Sequence, residues 1–259
     1  MNSSPKSILI TGASSGIGEA LALHYAAPGV FLALSGRNED RLLAVAEACR
    51  AKGAEVDAAC LSVTDAGPME EWIHRVDDAR RLDLVIANAG ISGGTGGPMI
   101  GEPVSQARAI FNVNLNGVLN TIDPILPRMI DRHGGQIALI SSMAGFRGFP
   151  GAPAYSASKG AVRFYGEALR GVAVKAGVKV NVVMPGFVKS RMTDVNGFPM
   201  PFLWSAEKAA SRIADGLARN VGRIAFPLPI HAAVWFLSLL PDFVVQKLLI
   251  QLPGKSSSL

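Results

Sequence analysis

An apolar run from Ser7 to Thr11 meets the glycines Gly12, Gly16 and Gly18 and continues at once into an Ala/Leu-rich segment reaching about Ala27. This junction restricts the chain more than any other stretch. A buried strand that turns straight into a helix through glycines leaves backbone N–H groups uncovered at the helix N-terminus. The pairing of a short apolar run with a helix-length segment then recurs. Strands are expected at Val30 to Ser35, Glu55 to Leu61, Asp83 to Ala87, Gly135 to Ser141, Val178 to Met184 and Arg223 to Phe226. Helices are expected over 39–52, 68–81, 103–132, 153–176 and, after an N-cap at Ser205, to about Asn220. Strands alternating with helices pair in parallel, so the expected fold class is α/β, a doubly wound parallel seven-stranded sheet in a single domain over 1–226. Residues 227–259 read as a hydrophobic helical extension.

Two stretches carry chemistry. At 155–159 the chain reads Tyr-Ser-Ala-Ser-Lys, just after Pro153. Proline suits a helix's first turn, and residues four apart share a helix face, so Tyr155 and Lys159 are expected to point together. A phenol of pKa about 10 is a poor acid–base group at neutral pH, and a fixed cation beside it favours the phenolate. Two surface residues on a helix would show the same spacing. The turn at 12–18 spaces its glycines Gly-x-x-x-Gly-x-Gly. Between strand and helix this points to a dinucleotide whose phosphates meet Gly12, Ser14, Ser15, Gly16, Ile17 and Gly18.

A carboxylate about 20 residues past the glycines would bind ribose hydroxyls. Here Gly36 stands in that place, followed by Arg37 and Asn38. A guanidinium pairs with a 2′-phosphate, so NADP is expected over NAD, with Ser14, Ser15 and Asn38 as further phosphate donors. A solvated charge at a strand end is the other reading of Arg37. Asn88-Ala89-Gly90 turns at a strand end, where Gly90 can lie against a flat ring. Asn112, Asn114 and Asn116 fall inside the expected helix 103–132, and asparagine is a poor helix former. A buried asparagine there needs a backbone carbonyl or a water as partner.

With 49% hydrophobic and 17% charged residues, the 259-residue chain can bury a sizeable core. Its formal charge of +5 suits anionic cofactors or membrane surfaces. No Lys/Arg block exceeds two residues, so nucleic acid is not an expected partner. Cys49 and Cys60 are too few for a disulfide framework or a metal site and read as buried free thiols. The four histidines are scattered, and no metal is expected. No signal peptide is visible in the short polar start, and the expected location is cytoplasmic, with peripheral membrane contact as a variant.

TGASSGIG at 11–18, NAG at 88–90, Asn114, Ser142, YSASK at 155–159 and PG at 185–186 occur in that order, each after its expected strand or helix. Together they resemble the classical short-chain dehydrogenase/reductase family, over about residues 6–226, and the fold that this implies is Rossmann-type. The resemblance implies hydride transfer between a nicotinamide and a carbonyl or alcohol. Tyr155 would be the acid–base group, Lys159 would bind the nicotinamide ribose and lower the tyrosine pKa, and Ser142 would hold the substrate oxygen. Asn114 would anchor a water relay to Lys159; Asn112 and Asn116 have no such role. Around the cofactor the resemblance implies Asn88, Ala89 and Gly90, then Pro185, Gly186, Val188 and Ser190, and Ser62 with Val63 near the adenine. Ser62 replaces the family's usual aspartate and Ser190 its usual threonine. Ser15 stands where NADP users often carry a basic residue.

The uncharged apolar segment 196–204 occupies the place of the family's substrate-covering loop and points to a lipophilic carbonyl or alcohol. A loop packed on the protein itself fits it equally. Ile230 to Leu240 and Phe243 to Leu252 are too short to span a bilayer. An interfacial anchor, a subunit-contact arm in a homodimer or homotetramer, and a lid over an apolar pocket all fit them. The function expected is an NADP(H)-dependent oxidoreductase interconverting a hydrophobic ketone and its secondary alcohol. The alternative is a catalytically inactive NADP-binding redox sensor or scaffold.

Overall fold

The computed structural model describes residues 4–95 and 101–249. Its strands are β1 (Ser7–Thr11), β2 (Phe31–Gly36), β3 (Glu55–Cys60), β4 (Leu84–Ala87), β5 (Gln136–Ile140), β6 (Lys179–Pro185) and β7 (Arg223–Phe226). They form one sheet in the order β3-β2-β1-β4-β5-β6-β7, every pair parallel. All of β1 is buried, because helices cover both faces of a parallel sheet. Its register sets Ile8 beside Leu32 and Leu84, and Ile10 beside Leu34 and Ile86. The chain steps outward from β1 to β3, returns to lay β4 against β1, and steps outward the other way. Such a reversal opens a crevice at the carboxyl ends of the central strands.

The helices are α1 (Gly16–Tyr25), α2 (Glu39–Ala51), α3 (Ala66–Ala79), α4 (Val104–Phe111), α5 (Gly117–Ile122), α6 (Leu126–Asp131), α7 (Pro153–Ala173), α8 (Arg191–Asp194), α9 (Ala206–Ala218), α10 (Leu228–Leu239) and α11 (Asp242–Leu249). On one face Leu21 of α1, Leu42 of α2 and Ile213 of α9 pack with Ile8 and Ile10. On the other, Trp72 of α3, Ile122 of α5, Met129 of α6 and Val162 of α7 pack with Leu9, Val85 and Leu139. A third, smaller cluster joins Met143, Phe146, Val182, Met184, Ala225 and Val234, with Phe149 and Ile230 against it. It fastens α10 to the ends of β6 and β7.

The expected helix 103–132 is three helices and a π-helical turn. That turn, Asn112–Asn116, lies between α4 and α5, and residues 123–125, including Pro124, separate α5 from α6. Proline offers no N–H to continue a ladder. The segment expected to be irregular before Trp204 contains α8, where Thr193 Oγ1 accepts the Ser190 N–H at 2.8 Å. Of the two thiols expected to be buried, Cys49 is buried and Cys60, at the end of the edge strand β3, is exposed. In α10 only Val234 is buried, while Trp235, Phe236 and Leu239 are exposed. In α11 Val245 and Leu249 face inward and Phe243 and Leu248 outward. The rest of the expected apolar run, 250–252, and residues 96–100 of the expected loop lie outside the described residues. Among the described residues no helix is long and apolar enough to cross a membrane.

Helix α7 lies directly on the sheet through Gly166. A Cβ there would stand 2.6 Å from both Leu139 Cδ1 and Val182 Cγ2, methyls of β5 and β6 that the core already encloses. Gly166→Val is therefore expected to lower unfolding stability by about 1–3 kcal/mol, the range for overpacking a filled core. Denaturant unfolding measures it, and an unchanged midpoint would contradict the close packing.

Candidate active site

Each motif follows the carboxyl end of a strand. The glycine turn leaves β1, Asn88-Ala89-Gly90 leaves β4, Ser141-Ser142 leaves β5 and Gly186 follows β6. These four strands are neighbours, so the motifs share one edge of the sheet. Within the turn, Gly12 has φ +67°, and a Cβ on it would stand 2.8 Å from Ala89 Cα. A Cβ on Gly18 would stand 2.3 Å from Gly12 O, so only glycine lets the start of α1 close on the turn. Asn88 locks this junction. Its Nδ2 donates to Thr11 O at 2.9 Å and to Gly12 O at 3.2 Å. Thr11 Oγ1 in turn accepts the N–H groups of Asn88 and Ala89 at 3.1 and 3.2 Å.

Helix α7 supplies the phenol and the ammonium. Lys159 is buried, and its Nζ donates to Ile140 O at 2.8 Å. That Nζ lies 5.9 Å from the centroid of the Tyr155 ring. Ser142 shares a hydrogen bond with Tyr155. Ser142 Oγ also accepts the Ala144 N–H at 3.1 Å, capping the short 3-10 turn Met143–Gly145. The Asn114 side chain is wholly buried. Its Oδ1 accepts the Ile91 N–H at 2.8 Å, and its Nδ2 donates to Ile91 O at 2.9 Å and to Ser158 Oγ at 3.0 Å. Asn114 thus ties the segment after β4 to α7, and the π-helical turn is where the helix bends to let it do so. A Cβ on Gly90 would stand 3.2 Å from Asn114 Oδ1 and 3.3 Å from Lys159 Nζ, so Gly90 closes over both polar groups.

Burial governs both titrations. It lowers Lys159 from 10.5 to about 8, because a desolvated ammonium is disfavoured. It raises Tyr155 above its ordinary value, and the Ser142 hydrogen bond only partly opposes that. The resemblance implies that Lys159 lowers the tyrosine pKa, whereas burial raises it here and Lys159 is not among the groups that oppose the rise. The ammonium is turned to the Ile140 carbonyl, and desolvation dominates. The unfolded chain holds the Lys159 proton to about 10.5 and the folded chain only to about 8, so the stability cost of burying this cation fades as pH rises across that window.

The remaining expected residues divide. Ser14, Ser15 and Gly16 line a groove of about 500 Å³ together with Arg41, Lys189 and Ser190. Ser15 caps no N–H with its side chain, which leaves the start of α1 open to an anion. Ile17 packs against the first core. Ser190 Cβ would lie 3.0 Å from a Cβ on Gly16, so α8 begins over the turn. Gly186 N–H donates to Phe226 O at 2.8 Å, Pro185 pairs with Phe226 in the sheet, and Val188 is buried beside Trp204. Ser62 Oγ bonds Thr64 Oγ1 at 2.8 Å inside its own turn, and Val63 packs on Gly117. Asn38 Oδ1 accepts the Arg41 N–H at 3.0 Å and caps α2, while Arg37 is exposed. The glycine turn and the uncovered start of α1 fit the phosphates of a nicotinamide dinucleotide.

A family model described as short chain dehydrogenase matches residues 6–197. The chain belongs to the short-chain dehydrogenase/reductase family. An uncharacterized oxidoreductase of Myxococcus xanthus is 38% identical over 238 residues, covering 92% of this chain and 93% of the relative. A short-chain dehydrogenase from Sphingobium yanoikuyae, solved in complex with NADPH, superposes with a TM-score of 0.78 at 26% identity over 95% of this chain and 96% of its own. A short chain dehydrogenase from Mycobacterium paratuberculosis, bound to NAD, gives 0.74 at 25% identity over 85% and 94%. The chain is thus an NAD(P)-dependent oxidoreductase.

Sequence reasoning missed three residues of this short-chain dehydrogenase/reductase. Thr11 braces the glycine turn, as above. Glu102 Oε2 accepts the Ala154 N–H at 2.8 Å, capping α7 from a distant loop where the N-cap Ala152 has no side-chain oxygen to offer. Arg41 lines the groove, and only its place on the first turn of α2 hinted at that. The ε-amine of Lys159 in the cofactor-free protein is expected to titrate near 8 when followed by NMR. A value above 10 would show that it is not desolvated.

Proposed function

We propose that this oxidoreductase uses NADP(H) to interconvert a hydrophobic ketone and its secondary alcohol, with Tyr155 as the proton donor in reduction. The observation that carries the reading is the half-buried Tyr155 phenol bonded to Ser142 with the Lys159 ammonium beside its ring. A phenol raised above its ordinary pKa is fully protonated at neutral pH, the state needed to give a proton to a carbonyl oxygen that becomes negative. Ser142 Oγ accepts from Ala144 N–H, so its own proton is free to be donated to that oxygen or to the phenol oxygen. Lys159 is the group that would hold the nicotinamide ribose, and Asn114, through Ile91 and Ser158, keeps the surrounding backbone in place. A reduced nicotinamide, when bound, supplies the hydride.

A lipophilic substrate is supported by what borders Ser142. The adjoining cluster is Met143, Phe146, Phe149, Met184, Val234 and Ile230, with the Arg163 guanidinium 4.1 Å from the Phe146 ring centroid at its edge. The segment 196–204 divides. Trp204 stacks on Phe226 with ring centroids 5.0 Å apart and Phe198 meets Phe187 at 6.0 Å, while Phe202 and Leu203 remain exposed. NADP preference is supported by Gly36 in place of a carboxylate and by the basic groups about the groove.

Incubation with NADPH and a panel of long-chain and cyclic ketones is expected to consume the cofactor. Tyr155→Phe is expected to bind NADPH with unchanged affinity and to lose turnover by about 10²–10⁴-fold, the contribution of a positioned general acid. Turnover kept in that variant would overturn the role given to Tyr155. NADPH binding with no turnover of any ketone would overturn the substrate class.

A further inference from the structure

We propose that Arg41, rather than the adjacent and exposed Arg37, is the side chain that selects a 2′-phosphorylated adenosine, acting with the Ser14 hydroxyl. The proposal rests on the NADP reading above and assigns its specificity to a residue four positions further along the chain. Arg41 Nε is buried and has no hydrogen-bond partner. Among the described residues the Arg41 guanidinium also makes no ion pair. Other partly buried arginines are committed: Arg132 to Asp77, Arg163 to Glu167, and Arg170 to Val180 O and Asn220. The Arg41 side chain as a whole is half-buried, and its buried nitrogen without a partner gains a hydrogen bond when an anion arrives beside it.

The surroundings say which anion. Arg41 and Ser14 together line the groove of about 500 Å³ that begins at the glycine turn and a second hollow of about 180 Å³ beside it. Ser14 stands over the end of β2, its Oγ 3.1 Å from where a Cβ on Gly36 would be. A side chain at position 36 would press on Ser14, which would have to give by a few tenths of an ångström to admit the carboxylate that reads ribose hydroxyls. Beside the end of β2, next to the exposed Arg37, stand the Ser14 hydroxyl and, from the first turn of α2, the forked cation of Arg41, a donor set that suits a phosphate monoester. The Arg41 N–H is occupied by Asn38 Oδ1 at 3.0 Å, which fixes the first turn of α2 and leaves the guanidinium as the group that faces the groove. Glu19 lines both hollows as well. It forms no ion pair with Arg41 among the described residues, which leaves the guanidinium to a phosphate monoester carrying about −1.5 to −2. Arg37 is solvent-exposed, so its pairing with any phosphate is screened by water and salt.

The test compares two probes differing only in the 2′-phosphate, adenosine 2′,5′-bisphosphate and adenosine 5′-monophosphate, titrated calorimetrically into the full chain. The wild type is expected to bind the bisphosphate at least about tenfold more tightly, as charge-assisted hydrogen bonds to one phosphate allow. Arg41→Gln is expected to abolish most of that ratio, leaving the monophosphate affinity and the unfolding temperature unchanged. Arg41→Lys is expected to restore part of it, and Arg37→Ala to keep it. A ratio undiminished in Arg41→Gln, or equal weakening of both probes, would overturn the assignment while leaving NADP preference standing. A wild-type ratio near one would overturn both.

Discussion

The site hangs on the hydrogen bond from Lys159 Nζ to the carbonyl of Ile140, the last residue of β5. A buried ammonium must find an acceptor, and the end of a central strand offers a carbonyl the sheet no longer uses. Meeting it fixes the height and rotation of α7 against the sheet, and with them the position of Tyr155 one turn earlier. Other contacts agree with that placement. Ser141 Oγ donates to Lys159 O at 2.7 Å, Ser158 is held by Asn114, and Ala154 is capped by Glu102. The Tyr155 phenol is therefore positioned mostly by polar contacts that end on backbone atoms, and desolvation raises its pKa.

The sheet makes this convergence possible. Strands β1, β4, β5 and β6 are neighbours although 76 positions separate Thr11 from Ala87 and 44 separate Pro185 from Ser141. Their carboxyl ends bring together the glycine turn, Asn88, Ser142 and Gly186. Asn88 then acts as a fastener, binding the carbonyls of Thr11 and Gly12 from the neighbouring strand. The same edge carries two different environments. Around Ser14 and Arg41 it presents hydroxyl and charged side chains; around Met143, Phe146 and Ile230 it is apolar.

The strands and the glycine turn were legible because local patterns cause them: continuous apolar runs for strands buried on both faces, and close backbone approach for Gly12 and Gly18. Tyr155 and Lys159 were legible from helical spacing. What was not legible depends on partners remote in sequence. The break in the helix 103–132 follows from Asn114 reaching Ile91 and Ser158, and the cap on α7 comes from Glu102, 52 positions before Ala154. The direction of the Tyr155 shift is a property of burial, which a sequence motif does not carry. The local roles of Asn38 and Ser62 were not legible either: Asn38 Oδ1 caps α2 and Ser62 Oγ bonds Thr64 Oγ1, because short polar side chains readily bond neighbours in their own turn.

The central claim is that this edge of the sheet transfers hydride to a carbonyl carbon while Tyr155 protonates its oxygen. Reduction of a hydrophobic ketone with NADPH dideuterated at nicotinamide C4, followed by mass spectrometry of the alcohol, tests it directly. The account predicts one deuterium on the carbinol carbon and none elsewhere. Alcohol formed without the label, or with the label at another carbon, would contradict it.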